Sequence, residues 1–230
     1  MKHRPFFAIC IYKFITLFKK KMCWSETTSI VTFTLGSILN GSAYTFLRYR
    51  KSPSTVFIFY WQYALLMQIP EAITWNYINN GIDISGPGRI AMILNVFQPL
   101  ILLLCVFNGF DRAFTAVFMY ILLICSDFRD LWIQSSDISP KNDCFHLNLG
   151  YWNLSRTLLY VFSSMICFYD FKNKFWGWLN MLIFLVTLIY SVVVYECGGG
   201  SMWCWMISFS GLVLITAEYF KLYNCRIRSC

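Results

Sequence analysis

Seven blocks of apolar residues, each close to the length that crosses a lipid bilayer, constrain this chain more than any other feature. A helix needs roughly 20 predominantly apolar residues to traverse the hydrocarbon layer. The blocks run from Thr27 to Leu47, Thr55 to Tyr77, Ile90 to Phe107, Ala113 to Ile133, Tyr151 to Tyr169, Phe175 to Tyr195 and Met202 to Phe220. The fourth and fifth are the weakest, because their unbroken apolar cores, Ala113 to Cys125 and Thr157 to Tyr169, hold only 13 residues each. Of the 230 residues, 58% are hydrophobic and 13% charged, against about 45–50% and about 25% in soluble domains. The expectation is an all-α, polytopic membrane protein: a seven-transmembrane helical bundle over 22–220, with a basic, partly hydrophobic leader at 1–21 and a short basic cytosolic tail at 221–230. Lipid is its first partner.

The net charge of +8 invites a nucleic-acid reading until its location is examined. Lys2, Arg4, Lys13, Lys19, Lys20 and Lys21 precede Met22 with no acid among them, and the remaining 13 basic and 11 acidic residues leave +2. The excess belongs to the leader and to short loops, and no nucleic-acid-binding motif accompanies it.

Basic residues in short loops are retained on the cytoplasmic side. Connections one, three and five and the carboxyl end carry Arg48, Arg50, Lys51, Arg112, Lys172, Lys174, Lys221, Arg226 and Arg228, whereas connections two, four and six carry Arg89 and Lys141. The carboxyl end is therefore expected in the cytosol and Met22 outside. Lys19 to Lys21 break the rule in that arrangement. Treating "PFFAICIYKFITLF" as an eighth span would repair them but invert every later loop, and Lys13 together with the terminal "KKK" does not fit a cleaved signal peptide. The simplest expectation is that translation starts at Met22, or that residues 1–21 are a removable or peripheral appendage.

From Met22 onward the chain resembles an uncharacterised family of seven-span membrane proteins of bacteria and large DNA viruses, whose members begin Met-Cys-Trp-Ser. The resemblance rests on Met22-Cys23-Trp24-Ser25, "YALLMQIPEA" in span two, "NVFQP" in span three and "MWCWMISFSGLVL" in span seven. It implies topology and no activity. Family members often carry His where Asn95 stands here, which counts against a metal site in span three.

Polar side chains inside a span are costly, about 2.5–3.5 kcal/mol for a central charge, and normally face protein or water. Gln68 and Glu71 share a face of span two, with Pro70 between them freeing the Leu66 carbonyl; Asn95 and Gln98 share a face of span three, with Pro99 freeing the Asn95 carbonyl. Two antiparallel helices so interrupted can build one mid-membrane polar site, as in transporters, or the amides can bond each other and pin the packing. Asp127 and Asp130 near the outer end of span four are expected to neutralise Arg156 in span five through one ion pair. Glu218 is expected to reach Lys221 or the interface. Thr32, Gly36 and Asn40, and separately Ser37 and Gly41, recur at four-residue spacing on span one, the pattern of close helix contact and of a homo-oligomer joined there. Trp24, Trp75, Tyr77, Trp132, Tyr151, Trp152, Trp176, Trp178, Trp203 and Trp205 cluster at span ends and read as an aromatic belt.

Cys23, Cys144, Cys197 and Cys204 fall at or just below the external face, where disulfides form. A Cys144/His146 zinc site is the alternative, but the spacing matches no closed zinc motif.

Several functions are excluded by missing chemistry. A retinal protein needs a lysine midway along its last span, and Lys221 lies at the exit. A G-protein-coupled receptor should carry an Asn-Pro-x-x-Tyr element there, yet "ISFSGLVLITAEYF" has no proline. His3 and His146 are the only histidines, and no phosphate loop or catalytic set appears. No catalytic residue, metal or cofactor is assigned. The expected role is that of a structural or interaction membrane protein, with a small-solute or ion transporter or channel as the alternative.

Overall fold

In a computed structural model of the protein, the described residues are 25–107, 112–135, 139–140, 147–148, 154–194, 203–204 and 206–228. They are overwhelmingly helical. Ten helices occur among them: α1 (Glu26–Tyr49), α2 (Thr55–Leu65), α3 (Gln68–Asn80), α4 (Ser85–Val96), α5 (Gln98–Val106), α6 (Arg112–Ser126), α7 (Phe128–Gln134), α8 (Leu154–Asp170), α9 (Lys174–Val194) and α10 (Ser210–Arg228). A two-residue antiparallel pair, β1 (Ser139–Pro140) with β2 (Leu147–Asn148), lies between α7 and α8. Three helical stretches are long and apolar enough to cross a membrane: Glu26–Tyr49, Ser85–Val106 and Lys174–Ser191.

Local chemistry explains where the helices begin and break. Ser25 caps α1, its hydroxyl accepting the Thr28 amide at 3.3 Å. The second expected span is two helices, α2 and α3, parted at Leu66–Met67. Pro70 withholds one amide, as expected, but the Leu66 carbonyl is not left idle: it accepts the Ile69 amide at 3.0 Å in a tightened turn. Gly81 ends α3 in the left-handed conformation at φ 66°, where a side chain would be strained. Span three starts earlier than its hydropathy suggests, because Ser85, Gly86 and Pro87 form the first turn of α4, and it turns at Phe97 before Pro99. Span four is divided at Asp127 into α6 and α7. The last expected span is interrupted: residues 203–204 and 206–207 are helical, 208–209 form a turn, and α10 resumes at Ser210 and continues to Arg228, so the expected boundary at residue 220 falls inside a helix.

α1 packs against α2, α3 and α10, while α8 packs against α5, α6 and α9; the contact of α2 with α5 joins the two groups. The buried positions of α1, Ser29, Thr32, Gly36, Asn40, Ala43 and Leu47, follow the helical period and form one face. On it, a Cβ added at Gly36 would lie 2.5 Å from Leu65 Cδ2 and 2.9 Å from Ser208 Cβ. Gly41, on the other stripe, would meet nothing within 4 Å. The core between the groups is aromatic: Phe57, Tyr60, Trp61, Phe168, Trp176 and Phe184 are all fully buried, and Trp61 stacks on Phe168 with centroids 6.2 Å apart.

Two of the aromatic residues expected at a lipid belt are core residues. Trp176 is fully buried and Trp203 nearly so, whereas Trp132 and Trp178 are exposed. Residues at span ends point inward when the helices around them leave a gap that an indole fills.

Helix ends gather into two sets. In one, Ser52, between α1 and α2, donates to Glu218 of α10 at 2.8 Å, Asp170 at the end of α8 accepts the Ala113 amide of α6 at 3.0 Å, and Lys221 Nζ lies 5.7 Å over the Trp176 ring. In the other, Asn76 of α3 donates to Glu26 of α1 at 3.0 Å, Arg89 of α4 lies 4.7 Å over Trp132 of α7, and Arg156 of α8 meets Asp127.

Candidate functional site

The four polar residues singled out in spans two and three are all withdrawn from the surface. Gln68 and Gln98 are fully buried, and Glu71 and Asn95 are each 6% exposed. The first pair sits just past the break in its span, and the second straddles its break. Gln68 opens α3 and donates to Glu71 Oε2 at 3.0 Å; Gln98 opens α5 and donates to Asn95 Oδ1 at 3.1 Å across the turn at Phe97. The three-residue spacing makes both bonds, and the interruptions put them inside the protein.

Residues from other helices complete the cluster. The Tyr160 hydroxyl of α8 donates to Gln98 Oε1. Tyr60 lies beside Tyr160 without an aligned hydrogen bond to it. Tyr120 donates to the Val96 carbonyl at 3.1 Å, next to the same turn. Cys204, 2% exposed, lies beside Gln68 and Glu71 and within electrostatic reach of Tyr160. The two polar pairs, on the packed neighbours α3, α4 and α5, together with Tyr160 beside one and Cys204 beside the other, make up the buried polar cluster. Gln68 Oε1 alone among the pairs' amide oxygens is buried with no hydrogen-bond partner.

The expected external thiols fare unequally. Cys204 is a free, buried thiol facing the cluster; Cys23, Cys144 and Cys197 lie outside the described residues. The described residues contain no disulfide, and no group of three His, Cys, Asp or Glu among them is placed to hold a metal ion.

Arg156, 5% exposed, donates to Asp127 Oδ2 from Nε at 3.4 Å and from Nη2 at 3.2 Å, and to Gln134 Oε1 at 3.1 Å. Asp130 is exposed, one turn from Asp127 but outside this contact. Glu218 does not reach Lys221: it is 5% exposed and accepts from Ser52, which also contacts the Ser54 hydroxyl at 2.9 Å. Lys221 lies over Trp176 instead, because the helix continues past Phe220 and carries the ammonium along the core edge.

No family model, curated protein or solved structure matches this chain. The functional reading therefore rests on the residues themselves.

Several buried polar contacts were not singled out from sequence. Asn180 of α9 accepts Trp61 Nε1 at 2.8 Å. Asn40 donates to Gln62 Oε1 at 3.1 Å, and Gln62 donates to Ser37 Oγ at 3.0 Å. An amide in an apolar block is the same signal that marks Gln68, and applied to Gln62 and Asn180 it would have found them. Tyr60, Tyr120 and Tyr160 carry no such signal, since tyrosine is ordinary in any apolar helix.

Proposed function

We propose that this is a seven-span integral membrane protein, amino end outside and carboxyl end in the cytosol, with a structural or interaction role in which buried polar side chains fix helix against helix. The observation that carries this reading is the bonding of buried polar side chains between separate segments: Tyr160 to Gln98, Trp61 to Asn180 and Ser52 to Glu218. Polar groups that bond across helices in lipid are a recognised means of fixing register.

The seven-span count adds to the three long apolar helices four further crossings, made by α2 with α3, by α6 with α7, by α8 and by α10. The two sets of helix ends support up-and-down alternation, and the set with Arg48, Arg50, Lys51 and Lys221 is the cytosolic one by the positive-inside rule. Membership of the Met-Cys-Trp-Ser family belongs to the same proposal.

A small-solute or ion transporter or channel is the second reading. It is favoured by the interruption of two neighbouring helical stretches beside a buried carboxyl group, Glu71. Flux measurements in reconstituted liposomes separate the two. The packing role predicts that Glu71→Gln lowers thermal stability and that no ion or solute flux depends on Glu71. A flux abolished by Glu71→Gln in a fully stable protein would replace the structural role by transport. Protease protection tests orientation: the carboxyl tail should be cut from the cytosolic side alone.

A further inference from the structure

One end of the bundle concentrates cations without matching acids. It is closed by the bond from Ser52 to Glu218 and by Lys221 Nζ lying over the Trp176 ring, so the turn after α1, the turn before α9 and the inner part of α10 adjoin one another. Arg48, Arg50, Lys51, Lys172, Lys174 and Lys221 all stand exposed there. None of the six forms an ion pair among the described residues. The described acids at this end are committed to neutral donors: Glu218 is buried and accepts from Ser52, and Asp170 accepts the Ala113 amide. Adjoining sequence adds Asp111 but also Arg112, Arg226 and Arg228, so the excess stands. At the other set of helix ends, Glu26, Asp83, Asp127 and Asp130 offset Arg89, Arg129 and Arg156.

Lys51 carries a second, independent signal. Its backbone lies at φ 53°, in the left-handed region just past α1, where glycine is the usual residue and a side chain is strained. The helix end imposes this conformation: the Lys51 amide donates to the Arg48 carbonyl at 3.0 Å and the Ser52 amide to the Leu47 carbonyl at 2.9 Å. The Lys51 ammonium has no hydrogen-bond or ion-pair partner among the described residues. Glycine would serve the turn better, which points to a use for the charge itself. Lys51 and Lys221 flank one contact, since Lys51 precedes Ser52 and Lys221 lies one turn beyond Glu218.

Exposed rings surround these cations. Arg50 Cζ lies 5.8 Å over Phe46 and over Tyr49, Lys174 Nζ lies 4.9 Å over Tyr169, and Tyr49, Phe175, Tyr219 and Phe220 are exposed. Aromatic residues of this kind settle at the depth of lipid headgroups, and clustered Lys and Arg beside them attract anionic lipid. We infer that this end of the bundle, centred on Lys51 and Lys221, binds the phosphate headgroup of an anionic phospholipid in the leaflet it faces. The inference rests on the membrane placement proposed above and adds a lipid preference to it.

The test is native mass spectrometry of the full chain in a neutral detergent, titrated with dioleoylphosphatidylglycerol or dioleoylphosphatidylcholine, which share acyl chains and differ in net charge. The anionic lipid should bind at least about tenfold more tightly, and raising the ionic strength from about 0.05 M to about 0.5 M should shrink the difference. Lys51→Gly should weaken phosphatidylglycerol binding about fivefold, the share of one cation at an anionic surface. The same variant should resist SDS at least as well as the parent, because glycine relieves the strained turn. Lys221→Gln should weaken binding similarly, whereas Arg129→Gln, at the other set of helix ends, should leave it unchanged. Equal binding of the two lipids, or equal losses from Lys51→Gly and Arg129→Gln, overturns the inference and leaves the membrane placement standing. A chain that binds neither lipid and stays monodisperse without detergent overturns the placement along with it.

Discussion

Replacing Gln98 by leucine isolates the contribution of the buried cluster to the fold. Gln98 is fully buried, donates to Asn95 at 3.1 Å and accepts from Tyr160, so the substitution deletes two hydrogen bonds and leaves each partner with one contact fewer. Leucine is close to glutamine in volume, so no large cavity accompanies the loss. Two magnitudes compete. In water-soluble cores a buried group left unpaired costs about 1–3 kcal/mol, which would total about 2–6 kcal/mol. Within lipid the unfolded helices also find partners, and hydrogen bonds between helices average only about 0.6 kcal/mol, with a maximum near 1.7. With the proposed membrane placement the second scale applies, and Gln98→Leu is expected to cost about 1–3 kcal/mol. Unfolding by SDS in mixed micelles, followed by tryptophan fluorescence, measures this. A double-mutant cycle with Tyr160→Phe should return a coupling of roughly 0.6 kcal/mol. A Gln98→Leu protein as stable as the parent, with additive effects in the cycle, would refute the argument that these contacts fix the packing.

Three further expectations concern other parts of the molecule. Gly36→Ala places a methyl group 2.5 Å from Leu65 Cδ2 and 2.9 Å from Ser208 Cβ; it should cost about 1–3 kcal/mol, whereas Gly41→Ala, with open space around it, should be neutral or stabilising by up to about 1 kcal/mol, both read as thermal stability in detergent. Asp127→Asn removes the counter-charge of buried Arg156, a loss of about 3–5 kcal/mol for a fully buried pair. With the Asp127 side chain 40% exposed, the expected loss falls to about 1–2 kcal/mol, and Asp130→Asn should change almost nothing in the same unfolding assay. Asp83 accepts the Ser85 hydroxyl at 2.6 Å and the Ser85 amide at 3.0 Å, which hold its carboxyl below the usual carboxylate range. A lowered folded-state value means its contribution is present above the unfolded value, about 3.9, and is lost as pH falls through the folded one; the hydrogen-exchange protection at the start of α4, taken relative to the intrinsic exchange rate at each pH, should fall in acid, and Asp83→Ala should flatten that dependence.

Helical class, the rough positions of the long apolar stretches and the polar pairs within them are properties of short windows, and the sequence alone determines them. Three residues set the spacing of Gln68 and Glu71, and of Asn95 and Gln98, so each bond could be anticipated from the helical period. The same local logic explains why span two breaks before Pro70 and why Gly81 ends α3. What lies across the bundle could not be read this way. Tyr160 is 62 residues from Gln98, Glu218 is 166 from Ser52, and Asn180 is 119 from Trp61. Sequence order contains no statement of which helix faces which. Trp176, Trp203 and Cys204, placed by position at interfaces, went to the interior because neighbouring helices left space that only those side chains fill. Hydrophobic length and helical period act along the chain, whereas burial and partner choice act between segments, and the second set is decided only when the helices pack.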